Sequence, residues 1–293
     1  MPLPFVEKAP AKVNLTLRVL SRRADGYHEL ESLVVFADRG DRLTFTPGET
    51  LSLTVSGETA AQAGAGADNL VLKAARALVA RKPDVTLGAF HLDKNLPVAA
   101  GLGGGSADAA AALRLIAAAN KLQPKDAQFY DAARASGADV PVCLDPRPRL
   151  MRGIGEKLSQ PLALPPLPAV LVNPGVALPT KDVFAGWKMG SQVPQPADLP
   201  DLAKLETREQ LLQILQAQPN DLEAPAIALQ PVIAEVLKVL RGFAGCQLAR
   251  MSGSGATCFG LFTTAAEAET AARILRAKNP NWWAQACTLG TGV

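Results

Sequence analysis

The stretch Leu96 to Asp108, LPVAAGLGGGSAD, running without a break into AAAALRLIAAANK, decides how this chain is read. Gly101, Gly103, Gly104 and Gly105 remove the β-carbons that would hold a backbone away from a polyphosphate, and Ser106 stands where a helix is expected to begin. Free N–H groups and the positive end of the helix dipole then meet at one point, which suits an anion. A dinucleotide fingerprint started at Gly101 would need glycine at Ser106, and a Walker loop needs a Gly-Lys pair that occurs nowhere in the chain. Both common nucleotide loops are thereby disfavoured. Two readings stay open: a phosphate cradle of another kind, or a glycine-rich turn that only links a strand to a helix.

At 293 residues the chain is comfortable for two domains, and a cleft between domains is a natural ligand site. Lys plus Arg at 30 against Asp plus Glu at 27 leaves a net charge of +3 without long runs of one sign, so nothing favours nucleic acid. The most apolar stretches are broken by Pro165, Pro166 and Pro168 or carry Arg114, and no membrane span is expected. Pro2, Pro4, Glu7 and Pro10 interrupt the apolar core that a signal peptide requires, so a cytoplasmic location is expected. Cys143, Cys246, Cys258 and Cys287 are scattered, with only His28 and His91 for company, and read as small core residues.

Working outward, KVNLTLRVL, ELESLVVF, RLTFTP and LSLTVSG alternate apolar with polar residues, a pattern of antiparallel strands. Asp68 and Asn69 offer a cap for the helix LVLKAARALVARK, and Thr86 to Lys94 reads as the strand that leads into the glycine loop. A helix is expected over Lys125 to Arg134. Pro146 to Pro168 reads as the crossing between domains, and Gly57 to Ala67 as a surface loop. Beyond lie a strand at Ala169 to Val172, helices around Thr207 to Gln216, Ala226 to Leu240 and Ala265 to Lys278, and a terminal strand. The order suggests a layered second domain.

Three further segments carry chemistry. Lys12 and Asn14 share one face of a strand because side chains alternate, and a lone Lys there is otherwise a solvated charge. Asp139, in SGADVPVCL, is either a carboxylate base at the mouth of a site or a helix cap. In MSGSGATCFGLF, Gly253 and Gly255 interrupt a strand, leaving room for another backbone or a ligand, or marking a simple hairpin turn.

In this order the segments resemble the GHMP superfamily of small-molecule kinases, over most of the chain. The strings PAKVNLTLRVLSRRADGYHEL, LPVAAGLGGGSADAAA, SGADVPVCL, MRGIGE, NPGVALPTKDVF, NDLE and MSGSGATCF carry the likeness. The G-Y-H triplet and P-T-x-x-V-F point to the branch that works on a cytidine diphosphate-linked methylerythritol, rather than on homoserine or mevalonate. The resemblance implies an α+β fold of two domains, ribosomal protein S5 domain 2-like over 1–160 and ferredoxin-like over 161–293, with the active site in the cleft between them.

It also implies transfer of the γ-phosphoryl group of ATP to the 2-hydroxyl of that acceptor, without a covalent phosphoenzyme. Such a reaction asks chiefly for in-line positioning and charge neutralisation. By similarity, Asp139 would take the hydroxyl proton and Lys12 would steady the nascent alkoxide. Asn69, Lys94, Pro97 and the run Gly101, Leu102, Gly103, Gly104, Gly105 and Ser106 would hold ATP. Tyr27 and Phe184 would stack on cytosine, His28 would read its edge, and Asn14 with Thr180 would orient the polyol and diphosphate; the lesser alternative for both aromatics is a place in the core. Mg²⁺ would accompany ATP, but no metal ligand is named, and Asp108 is explained by the helix dipole. The implied partners are small molecules only, with no nucleic acid or membrane, and the implied state is a monomer or weak homodimer. Another acceptor, or a catalytically silent nucleotide-binding regulator on the same fold, would carry much of the same pattern.

Overall fold

The expected strands and helices assemble on one mixed sheet in a computed structural model that describes residues 4–123, 126–188, 199–205 and 207–290. The first half supplies β1 (Phe5–Asn14), β2 (Arg18–Arg22), β3 (His28–Pro47), β4 (Ser52–Ser56), α1 (Leu70–Val79) and β5 (Gly88–Asp93). It continues with α2 (Gly104–Ala119), α3 (Ala127–Ser136), α4 (Val140–Cys143), β6 (Arg149–Gly153) and β7 (Lys157–Leu158). The second half supplies β8 (Leu167–Asn173), α5 (Thr180–Gly186), α6 (Arg208–Ala217), α7 (Glu223–Leu229) and α8 (Val232–Arg241). β9 (Cys246–Met251), β10 (Cys258–Phe262), α9 (Ala265–Lys278) and β11 (Trp283–Leu289) complete it.

The 20-residue β3 is the spine of the sheet: β1, β2, β5, β6 and β11 all pair with it. The two halves join where Leu289 of β11 meets Ala37 of β3. Phe45 and Phe90 are direct cross-strand partners whose rings stack at 4.6 Å, a pairing that helps fix the β3–β5 register. Against this face lies α2, whose Ala109, Ala110, Ala111 and Ala112 are all fully buried. Alanine combines high helix propensity with little bulk, so the helix that follows the glycine loop can sit close to the sheet and to α1. Buried Arg250 ties the halves again, donating to Leu15 O at 2.8 Å and Leu215 O at 2.7 Å.

Several expectations are corrected. The helix after the glycine loop starts at Gly104, with Gly103 rather than Ser106 at its head, because Gly103 takes a left-handed φ of 59° that turns the chain into the helix. The helix expected over Ala226 to Leu240 is two helices, with Pro231 standing at the head of the second and lacking the N–H needed to continue the first. Within Pro146 to Pro168, β6 pairs with β3 instead of only crossing between domains. Lys125, where the third expected helix begins, lies outside the described residues, and α3 starts at Ala127. Among the described residues no helix is long and apolar enough to cross a membrane.

Candidate active site

The glycine loop is held from beneath by backbone and hydroxyl contacts. Lys12 N–H donates to Leu102 O at 2.8 Å, just past a register shift in the β1–β3 ladder between Pro10 and Lys12. Ser252 Oγ donates to Gly101 O at 3.0 Å and Thr257 N–H to Ala100 O at 3.1 Å, so the late glycine motif backs the loop. Asn220, in the NDLE string, fixes that motif by donating to Met251 O and Gly253 O, each at 2.8 Å. On the loop's far side, the first intrahelical bond of α2 runs from Ala107 N–H to Gly103 O at 2.8 Å. The N–H groups of Gly104, Gly105 and Ser106 precede it and have no partner inside the helix.

Beside the loop, Lys12 Nζ lies 2.8 Å from Asp139 Oδ2 and donates to Asn14 Oδ1 at 3.2 Å. The alternation of β1 puts Lys12 and Asn14 on one face, as expected, and Asn14 Nδ2 is spent on Ser32 Oγ at 2.7 Å. Asn14 therefore braces the lysine. Asp139 occupies the head of α4 but makes no capping hydrogen bond, and its side chain is 34% exposed while that of Lys12 is 5% exposed. An ammonium is thus buried with a carboxylate that opens to the cavity.

Lys94 is turned inward. Its ammonium is paired with Asp41 and, at 2.7 Å, with Asp108 Oδ2, and Asp41 Oδ1 accepts from the N–H groups of Asn95 at 2.6 Å and Leu96 at 2.8 Å. Burial pulls the lysine down, but Asp108 and Asp41 outweigh it and hold Lys94 above its ordinary value. Burial pushes Asp108 up to about 8, with Lys94 offsetting part of the effect and Asp41 adding to it. The cluster joins the entry of the loop to α2 just past its first turn, so Asp108 is more than a complement to the helix dipole. Asn69 is also occupied: it caps α1 by accepting from Val71 N–H at 2.9 Å and donates to Gly64 O at 2.7 Å.

The other end of the cavity is aromatic. His28 stacks on Phe184 with ring centroids 4.8 Å apart, and Trp187 meets His28 edge-on at 5.7 Å. Tyr27, in the β2–β3 turn, is 61% exposed. Burial and the neighbouring Arg22 hold His28 below its usual value, which favours the neutral ring at pH 7. Thr180 Oγ1 lies 2.9 Å from Ser254 Oγ, fastening α5 to the late glycine motif. A cavity of about 1550 Å³ connects these aromatics to the glycine loop.

The family model for the GHMP kinases N terminal domain matches residues 69–145, and that for the GHMP kinases C terminal matches residues 198–281. The chain belongs to the GHMP kinase family. It is 57% identical, over 97% of its own length and 96% of the other's, to a 4-diphosphocytidyl-2-C-methyl-D-erythritol kinase of Rhodopseudomonas palustris. A crystal structure of a 4-(cytidine 5'-diphospho)-2C-methyl-D-erythritol kinase superposes with a TM-score of 0.79 at 38% identity, covering 98% of this chain and 100% of that one. A homoserine kinase from Cytophaga hutchinsonii shares the fold alone, at a TM-score of 0.68 and 18% identity over 100% of this chain and 96% of that one. The two-domain kinase fold, of mixed α+β content on a large sheet, is that of the family.

In this GHMP kinase one cavity brings together Lys12, Asn14, Tyr27, His28, Asn69, Lys94, Gly101, Gly103, Gly104, Gly105, Ser106, Asp139, Thr180 and Phe184. Leu102 and Pro97 are buried and do not line it, Leu102 serving through its carbonyl. Phe184 packs its ring against His28, and Tyr27 lines the same cavity. The sequence reading missed Arg22, Lys181 and Trp187, which also line the cavity, and the segment Gln62 to Gly66, expected as a plain surface loop, contributes to its wall. The GYH triplet and the P-T-x-x-V-F pattern pointed only to their named positions; Lys181 falls at an unspecified position of the second, and Arg22 and Trp187 lie outside both. No group of three or more His, Cys, Asp or Glu able to hold a metal ion occurs among the described residues.

Proposed function

We propose that this chain phosphorylates the 2-hydroxyl of 4-diphosphocytidyl-2-C-methyl-D-erythritol with ATP, a step in the methylerythritol phosphate route to isoprenoid precursors. The observation that carries the reading is the Lys12–Asp139 pair, 2.8 Å apart and lining the same cavity as the glycine loop, in a chain 57% identical to a relative named for that activity. In this reading Asp139 accepts the hydroxyl proton, the freed oxygen attacks the γ-phosphorus, and the bond to the β–γ bridging oxygen breaks to release ADP. Lys12 steadies the developing alkoxide and draws the phosphoryl oxygens, while the amides of Gly104, Gly105 and Ser106 take the phosphates of ATP. The partnerless head of α2 fits a polyphosphate. Mg²⁺ fits as an ion carried on the phosphates and water, a coordination it commonly keeps.

At the aromatic end Tyr27, Phe184 and His28 receive cytosine, and Thr180 orients the diphosphate. We read 1–160 as ribosomal protein S5 domain 2-like and 161–293 as ferredoxin-like, with the active site in the cleft between them; the pairing of β6 with β3, and the opening of the second half with β8 at Leu167, support this division. The enzyme then works in the cytoplasm on small molecules, as a monomer or weak homodimer.

The test is transfer from ATP with Mg²⁺ to the cytidine compound, followed by the mass of the acceptor, with homoserine and mevalonate in parallel. A phosphate gained by the cytidine compound supports the reading. Transfer to a control alone replaces the acceptor, and ATP binding without any transfer points to a regulator.

A further inference from the structure

Charged side chains lining the cavity each have an ion-pair partner, with two exceptions. Lys12 meets Asp139 at 2.8 Å, Lys94 meets Asp108 at 2.7 Å, and Asp68 meets Lys73 at 3.2 Å. Arg22 and Lys181 also line the cavity, and among the described residues neither has an ion-pair or side-chain hydrogen-bond partner. Acids are not lacking nearby. Arg23, the next residue, takes both Asp25 at 3.2 Å and Glu29 at 3.7 Å, and Asp182, next to Lys181, does not line the cavity.

Both free cations stand at the aromatic end. Arg22 is the cross-strand partner of His28 in the β2–β3 ladder, so the two side chains leave the same face of the sheet. Lys181 precedes Phe184 by three residues on α5, which puts them on neighbouring positions of one helix face. Since His28 and Phe184 stack at 4.8 Å, a guanidinium on the sheet side and an ammonium on the helix side flank one pair of stacked rings. Two uncompensated cations sharing a cavity repel each other, and a ligand carrying two negative charges turns that repulsion into attraction. In the proposed function the phosphates of ATP are taken by the head of α2, which lines the same cavity.

We propose that Arg22 and Lys181 form a clamp for the diphosphate of the acceptor, making the site select a nucleoside diphosphate over a nucleoside. The inference rests on the proposed function in that it assigns the aromatic end to the nucleotide part of the acceptor. Arg22 supplies a fork that can hold two phosphate oxygens, and Lys181 a mobile point charge. Both are exposed enough to reach out and close on the ligand.

The test is calorimetric binding of CDP, CMP, cytidine and ATP to the full chain at two salt concentrations. Wild type is compared with Arg22→Gln, Lys181→Gln, the double variant, and Arg134→Gln on the exposed side of α3 as a control for lost charge. The double variant is expected to lose about tenfold or more in CDP affinity and the salt dependence that goes with it, with cytidine and ATP held within about twofold. The control is expected to match wild type. An unchanged ratio of CDP to cytidine affinity in the double variant overturns the clamp, and so does an equal loss for ATP, which would move the cations to the phosphoryl donor. Transfer to the cytidine compound, assayed alongside, separates the two proposals: intact transfer with an unchanged ratio removes the clamp alone, whereas a wild-type chain blind to CDP and unable to phosphorylate the acceptor removes both.

Discussion

Asp139 and Lys12 are 127 residues apart in the chain and 2.8 Å apart in space, and the carboxylate has the more open of the two side chains. A base must reach its substrate while its partner stays fixed, and that asymmetry serves the need. Asp139→Asn keeps the shape and a contact to Lys12 but removes the proposed proton acceptor. Turnover is expected to fall by about 10²–10⁴, with KM for ATP and acceptor changed little, as steady-state kinetics would register. Turnover near that of wild type would take Asp139 out of the mechanism.

Gly101 is packed between two backbones. A β-carbon there would lie 2.5 Å from Ser252 O and 2.8 Å from Gly255 O, at a φ of 77° that favours glycine. Neither neighbour can swing away as a side chain would. Gly101→Ala is therefore expected to cost at least about 1–2 kcal/mol from the left-handed conformation alone, and to lower Tm by about 2 °C per kcal/mol. Gly105→Ala, whose new atom would meet only Leu70 at 3.3 Å, should melt close to wild type. Equal melting points for the two variants would show that the loop is not pinned to the late glycine motif.

The aromatic end makes a prediction in two parts. Tyr27→Ala is expected to raise the KM of the acceptor far more than that of ATP, by a factor corresponding to about 1–3 kcal/mol of lost stacking. The second part concerns pH. Because burial and Arg22 depress the pKa of His28 below 6.5, its ring stays neutral above that pH and charges only in more acidic solution. Acceptor KM should be flat above pH 6.5 and rise as the pH falls through the lowered value, a limb absent in His28→Gln. Equal effects of Tyr27→Ala on both substrates, or an unchanged acid limb in the histidine variant, would count against a cytosine pocket here.

What the sequence made legible follows from range. Lys12 and Asn14 could be placed on one face because the strand period is local, and the glycine loop could be placed before a helix because capping is local. Asp139 could be joined to them only through the likeness of whole strings. The burial of Lys94 could not be read in the same way, since it depends on Asp41, 53 residues earlier, and on Asp108, 14 residues later. Arg22, Lys181 and Trp187 gave no signal, since a single cation or indole has no period, and only the meeting of β2, β3 and α5 shows which cavity they line. The break at Pro231 follows from proline's missing N–H, a local property that the sequence carries.

The Lys94 cluster leads to a prediction about pH and stability. One ammonium serves two carboxylates, and Asp108 Oδ1 is buried without a hydrogen-bond partner, so a full negative charge on Asp108 is poorly compensated. Its folded-state pKa is pushed up to about 8, well above the 3.8 of an unperturbed Asp. Between those values the folded chain keeps a proton that the unfolded chain has released, so stability from this group is full below about pH 4 and is lost as the pH rises toward 8. Asp108→Asn retains an oxygen to accept from Lys94 and removes the titration. Over pH 5 to 8, thermal unfolding of wild type should show Tm declining relative to the variant, the gap widening with pH. Parallel curves would mean that Lys94 keeps Asp108 ionised throughout, and that the attraction of the lysine outweighs burial in this cluster.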